Sequence, residues 1–320
     1  MKQVFLKGII IFLVISNSYA SKMNSQKLTP LGAVFSSNGI VFPKDKARMV
    51  VKSIYFKKDT AYNGDDEVMD ASSREMTTSI TNVMFRYGLG NNFDIRAIIP
   101  YVYKNMKQTY PKGPRKGHEL TLKNSGIGDA KVFVRYQILN QKKLDPVFLA
   151  FGLGLKVPTG DTSKSFTTIQ GEQKTPTMQL GSGSWDVIGE IGMTKMLPNS
   201  RIDTYASYTL KNEGSYDYEF GDQINWNVGY SYALNYHFDL QCELNGIHMQ
   251  KNKSNGKEVD NSGGNFIYIT PGIHTRISKK YDVSLGYAHM IYRDNNYDIA
   301  KKSGGLSEDN RWVLRLGYNF

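Results

Sequence analysis

Twelve segments of period-two hydrophobicity, joined by connections that alternate short and long, constrain this chain more than any other feature. Every second residue is apolar in Phe93/Ile95/Ala97/Ile99/Tyr101/Tyr103, Ala130/Val132/Val134/Tyr136/Ile138, Val147/Leu149/Phe151/Leu153/Leu155/Val157 and Ile224/Trp226/Val228/Tyr230/Tyr232/Leu234. Phe238/Leu240/Cys242/Leu244, Ile267/Ile269/Pro271/Ile273 and Val283/Leu285/Tyr287 follow the same rule. The segments near 76–87, 185–194 and 201–210 are fainter, and 48–56 fits either phase. The last segment, Trp312, Leu314, Leu316, Tyr318 and Phe320, is unbroken. A period of two is the mark of a β-strand whose two faces meet different surroundings. Each run is about ten residues, the length a tilted strand needs to cross a bilayer.

The connections near 88–92, 140–145, 195–200, 235–236 and 278–280 are short. Those near 58–75, 104–126, 158–183, 211–222, 250–264 and 294–310 are long and polar. A soluble sandwich has no reason to sort its loops in this way. A membrane barrel does, with tight periplasmic turns and long outer loops. The pattern predicts an all-β, up-and-down antiparallel transmembrane β-barrel of about twelve strands over residues 47–320, both termini on the periplasmic side. Mean hydropathy is −0.43, which is compatible with a barrel because only alternate residues face lipid.

Both ends agree. Lys2 and Lys7, the apolar run Gly8 to Ile15 and Ser18-Tyr19-Ala20 form a secretory signal over residues 1–20. Residues 21–46 then read as an N-terminal periplasmic segment. The alternation Trp312, Leu314, Leu316, Tyr318, Phe320 ends on an aromatic, as in the signal by which barrel-assembly machinery recognises outer-membrane strands. Trp185, Trp226 and Trp312 fall toward the outer ends of strands, and Phe93, Tyr136, Tyr232, Phe238, Tyr318 and Phe320 toward the inner ends. Two aromatic belts at the two interfaces are expected. Pro271 requires a bulge or a strand end.

With the apolar phase facing lipid, the other phase lines the lumen. It carries Arg86, Arg96, Lys131, Arg135, Arg276 and Arg315 against Asp94, Asp129, Asp186, Glu190, Asp203, Asp239, Glu243 and Asp282. Twelve strands leave a modest interior. Opposed charged walls there either orient a passing solute or close into ion pairs that brace the barrel. Catalysis has little support: no His-x-Ser occurs, and Ser254-Asn255-Gly256 reads as a turn. No His or Cys pair has metal-ligand spacing, and Asp65, Asp66, Glu67 and Asp70 lack the spacing of a Ca²⁺ loop. No cofactor is expected. Cys242, the single cysteine, occupies an apolar position and reads as a small hydrophobe. Lys104, Lys107, Lys112, Arg115, Lys116 and Lys123 face Glu119 alone in the second outer loop. That charge suits lipopolysaccharide phosphates or plain solvation. Nucleic acid is not an expected partner.

Asn124-Ser125-Gly126-Ile127-Gly128-Asp129-Ala130 with Val134-Arg135-Tyr136 resembles the central signature of the bacterial outer-membrane family labelled meta-pathway of phenol degradation. Leu155-Lys156-Val157-Pro158-Thr159-Gly160-Asp161 and Gly181-Ser182-Gly183-Ser184-Trp185-Asp186 resemble it as well. The likeness covers roughly Gly39 to Phe320 and rests on the order and spacing of the three stretches. It implies a transporter-like barrel associated with aromatic-compound catabolism, and no catalytic residue. The expected function is a passive outer-membrane transporter or channel for small solutes, aromatic or apolar by the family label. The alternative is a structural or surface-interaction barrel with a closed lumen and lipopolysaccharide-contacting loops.

Overall fold

The computed structural model describes residues 30–35, 37–70, 72–110, 112, 116–141, 145–168, 171–260, 262–295 and 305–320. The leader assigned to residues 1–20 lies outside them. Twelve strands form a closed antiparallel barrel, each hydrogen-bonded to its neighbours in sequence. They are β1 (Ala47–Lys58), β2 (Glu75–Gly90), β3 (Phe93–Thr109), β4 in two pieces (Glu119–Ile127 and Ala130–Leu139), β5 (Phe148–Val157) and β6 (Asp186–Leu197). The others are β7 (Ser200–Leu210), β8 (Gln223–Ala233), β9 (Phe238–Met249), β10 (Gly264–Arg276), β11 (Tyr281–Asn295) and β12 (Asn310–Asn319). Closure is made by β12 on β1, with Met49 opposite Tyr318 and Tyr55 opposite Trp312. The Phe320 N–H donates to the Ala47 carbonyl at 3.0 Å.

The face assignments follow the alternation. Ile95, Val134, Leu153, Val228, Leu244, Leu285 and Leu316 stand exposed on the outer surface. Phe93 stacks near Tyr136 and Tyr281 near Tyr318 at the inner rim, with centroids 4.7 and 4.8 Å apart. Trp185 and Trp312 are exposed near the outer ends. Asn91 and Asn92 both take positive φ between β2 and β3, the backbone of a tight hairpin whose twist matches its strands.

Two local expectations are corrected. The stretch 104–126 is mostly strand: β3 and the first piece of β4 rise beyond the wall as a ribbon, from Tyr101 opposite Ile127 to Thr109 opposite Glu119. Lysines on its outward face hide the period, while inward Leu122 packs with Phe166 and Met178 of the third outer loop and with Met76, Met106 and Leu120. Arg115 lies outside the described residues. The bulge expected at Pro271 falls instead between Ile267 and Tyr268, where Ile291 and Tyr292 are both exposed. Pro271 pairs with Cys242 of β9 in mid-strand, and the ladder to β11 skips Thr270 and Pro271. Proline has no N–H to place in that ladder.

Candidate functional site

Polar residues of the inward phase turn every wall of the barrel into a set of donors and acceptors. The described part of the segment expected in the periplasm, from Pro30, lies among them. It enters beside Arg201 and Asp239, near the periplasmic ends of β7 and β9, and rises to mid-barrel at Val34 and Phe35. It then crosses to β3 and β4 and descends to Lys44, which bridges to Gly88 at the end of β2.

The wall reads this segment through its backbone. Carboxylates take its N–H groups: Leu31 donates to Asp239 (2.9 Å), Ala33 to Asp203 (3.3 Å), Val34 to Glu243 (2.6 Å) and Phe42 to Asp94 (2.7 Å). Phe35 adds a longer bond to Glu243, and Gly39 donates to Thr194 at 3.1 Å. Cations and amides take its carbonyls: Arg315 donates to Ala33 (2.7 Å), Lys52 to Phe35 (2.9 Å) and Gln137 to Gly39 (3.1 Å). Arg201 reaches Pro30, Arg135 reaches Asn38 and Arg86 reaches Ile40. A peptide backbone presents both donors and acceptors, so a wall that holds one needs both, and here cations and carboxylates supply most of them. That accounts for the mixed lumen.

Packing completes the fit. Gly192 and Gly88 face the segment where a side chain would collide with it. A Cβ at Gly192 would stand 2.5 Å from the Asn38 carbonyl oxygen, and one at Gly88 1.9 Å from that of Pro43. Phe35 lies against Phe266, Tyr268, Ala288 and Met290, an apolar patch on the inner faces of β10 and β11.

The residues expected in the lumen are all placed there or at its rim, and the structure gathers them into separate groups. Arg96 pairs with Glu190 at 2.6 Å, Arg135 with Glu190 at 2.9 Å, and Arg86 shares Asp94 with Arg135. Asp282 joins Arg48 (2.6 Å), His274 (3.0 Å) and, at 3.9 Å, Arg315. Arg276 closes on Asp239 at 2.8 Å near the periplasmic rim. Lys131 faces inward with no ion pair among the described residues. Arg48, Lys52, Lys156, Arg201, Tyr205, Asn227 and His274 belong to the same surface and were not singled out. Lys156 and His274 sit in the polar phase of clear strands, so period-two counting carried the signal that would have found them.

Asp129 and Asp186 do different work at the outer mouth. Lys156 holds both, at 3.3 and 2.7 Å, and donates to Ser182 and Ser184. Asp129 accepts the N–H groups of Gly160 (3.0 Å) and Ser182 (2.9 Å), and Thr159 donates to the Gly128 carbonyl. The three signature stretches thus meet at one knot that folds the third outer loop, 158–183, onto the mouth. Lys104, expected on a free basic loop, donates instead to the carbonyls of Thr177 and Gln179 in that loop. Lys107 pairs with Glu119 at 3.6 Å, and Lys123 lies over the Tyr103 ring.

Around the segment remains a cavity of about 500 Å³, lined by Val34, Phe35 and Phe42 of the segment and by the inner face of the barrel. Lys52, Arg96 and Lys131 line one wall, with Tyr205, Asn225, Asn227 and Asn245 on another. Among the described residues no group of three or more His, Cys, Asp or Glu is arranged to hold a metal ion.

This is the architecture of an outer-membrane β-barrel whose polar lumen holds a segment of its own chain. Residues 59–297 match the model of the family described as MetA-pathway of phenol degradation, and the chain belongs to that family. Among solved structures it is similar to an outer membrane channel from Pseudomonas putida F1, with TM-score 0.67 and 17% identity over 90% of this chain and 100% of that one. It is less similar to the β domain of the Bordetella autotransporter BrkA (TM-score 0.49, 9% identity, 86% of this chain and 100% of that one). The NanC porin scores 0.44 at 10% identity, over 84% of this chain and 98% of that one. The first likeness fixes the fold, and the other two are too remote to bear on it. No match was found among curated protein sequences.

Proposed function

We propose that the chain is a passive outer-membrane channel for small solutes, closed in this structure by residues 30–43. One observation carries the reading. The lumen holds a chain segment through backbone hydrogen bonds to charged side chains, groups that water can satisfy equally well when the segment leaves. A barrel braced for strength alone is better served by wall-to-wall packing, since buried ion pairs are weak sources of stability. The family description adds support for aromatic or apolar solutes, and the structural likeness to an outer-membrane channel agrees with a transport role. Export through residues 1–20 and insertion guided by Trp312, Leu314, Leu316, Tyr318 and Phe320 belong to the same proposal.

A second reading has one observation of its own. The segment is held inside the barrel and the Lys156 knot ties the third outer loop at the mouth, an arrangement that suits a structural barrel with lipopolysaccharide-facing loops. Swelling of liposomes loaded with the purified chain separates the two. Influx of arabinose above protein-free vesicles supports a channel, and impermeability with a correctly folded barrel supports the structural reading.

A further inference from the structure

The chamber around the segment is chemically lopsided. No carboxylate is among its lining residues, and Glu190 and Glu243 beside it are already engaged. Glu190 accepts from Arg96 (2.6 Å) and Tyr205 (3.0 Å), and Glu243 accepts from Val34 (2.6 Å) and Asn227 (2.8 Å). Two cations on the facing wall are not matched in this way. The Lys52 ammonium donates only to a neutral carbonyl, that of Phe35, and the Lys131 ammonium enters no ion pair or hydrogen bond among the described residues. Both lie on the arc from β1 to β4, and each stands in the electrostatic reach of Arg96 and of carboxylates already held by other partners, Glu243 for Lys52, and Asp186 and Asp129 for Lys131.

The opposite wall offers neutral amides and hydroxyls, Tyr205, Asn227 and Asn245. Beside the lysines are apolar side chains, Ile98 and Phe133, the latter under the Arg96 guanidinium at 4.1 Å. A surplus of positive charge next to an apolar surface favours a ligand with one anionic end and one apolar body.

We propose that this chamber is a binding site for small organic monoanions of the aromatic-carboxylate type, with Lys52 and Lys131 as the groups that take the carboxylate. The inference deepens the channel reading by naming the solute class, and it rests on that reading only for transport. Binding is a property of the chamber itself.

The test uses the full chain in detergent and two probes of like shape, benzoate and benzyl alcohol, measured by isothermal titration. Saturable benzoate binding is expected, at least tenfold tighter than that of the alcohol. Each of Lys131→Gln and Lys52→Gln weakens benzoate about fivefold, the worth of one unit charge at contact distance in a watery site; glutamine at 52 can still donate to Phe35. The double substitution leaves benzyl alcohol unchanged. Benzoate binding that is absent, no tighter than the alcohol's, or indifferent to both lysines overturns the site.

In planar bilayers under a KCl gradient, the reversal potential of the wild type should favour chloride, and that of the double variant should move toward zero. Benzoate binding without any conductance keeps the site and refutes the channel. Conductance without anion preference and without benzoate binding does the reverse.

Discussion

Glu243 is the point at which the segment is held highest in the lumen, so removing its charge should loosen the closure in a way that can be counted. Its carboxylate receives Val34 N–H at 2.6 Å and Phe35 N–H at 3.3 Å, with Asn227 and Gln241 as further donors. Glu243→Gln keeps the shape and the acceptor oxygen. A hydrogen bond to a charged group is worth roughly 1.5–3 kcal/mol and a neutral one roughly 0.5–1.5. The short Val34 bond therefore loses about 1 kcal/mol and the longer Phe35 bond about half that or more, together about 1.5–2 kcal/mol. At about 1.4 kcal/mol per factor of ten, the ratio of displaced to seated segment rises roughly 10- to 30-fold. Ala33 lies within this stretch and is 5% exposed, so Ala33→Cys reports displacement through its reaction with a water-soluble maleimide. Cys242 is the one native cysteine and faces outward, so it is first replaced by serine. When reseating is faster than labelling, the labelling rate follows the displaced population. A rate unchanged within twofold by Glu243→Gln, or raised equally by Glu308→Gln at the outer rim, would refute the reasoning.

Arg at Val228, on the lipid face, should cost roughly 2–4 kcal/mol in folding titrations into vesicles. Gly229 points inward, where a Cβ would stand 3.2 Å from Glu243 and 3.8 Å from Ala33. Gly229→Arg should therefore spare vesicle insertion more than Val228→Arg does, yet speed maleimide labelling when combined with Ala33→Cys. Replacing Phe320 with a charged residue should reduce assembled, heat-modifiable barrel far more than the same change at Asn319; equal yields would count against the assembly role. Glu308 is buried under Lys58, Arg311 and Tyr268 at the outer rim. Burial pushes its pKa up, but those two cations and the hydrogen bonds from Tyr268 and Arg311 hold it well below the ordinary 4.5. Its stabilisation is complete above about 4.5 and is lost as pH falls below that value. The temperature at which the barrel unfolds on gels should thus fall more between pH 7 and pH 3 in the wild type than in Glu308→Gln; equal falls would remove Glu308 from the account. Lys156→Met should free the third outer loop, seen as faster proteolysis within 158–183 while the barrel stays heat-modifiable.

The wall of this barrel was legible because its physics is local. Val228 and Gly229, or Leu285 and Ser284, differ in surroundings by one step along a strand, and that step is visible in the chain itself. Lysines erased the same signal at Lys107 and Lys123, where the outward face meets water and headgroups instead of lipid tails. The charged residues of the lumen were legible as a set, but their partner was not. Leu31, Asn38 and Gly39 have no period and no strong propensity, and they bind through backbone atoms that every residue shares. Val34 meets Glu243 and Ala33 meets Arg315 across more than 200 positions of sequence. The signature stretches were recognisable as a group for a related reason. Asp129, Lys156, Ser182 and Asp186 make one knot, yet nothing in their spacing says that it clamps a loop.

Closure by residues 30–43 is the central claim, and single-channel recording in planar bilayers of the full chain beside a chain lacking those residues tests it most directly. The account predicts brief, infrequent openings for the full chain and long-lived openings of the same or larger conductance once the segment is gone. Two correctly folded barrels that both stay silent, or a full chain that conducts as steadily as the shortened one, would contradict it.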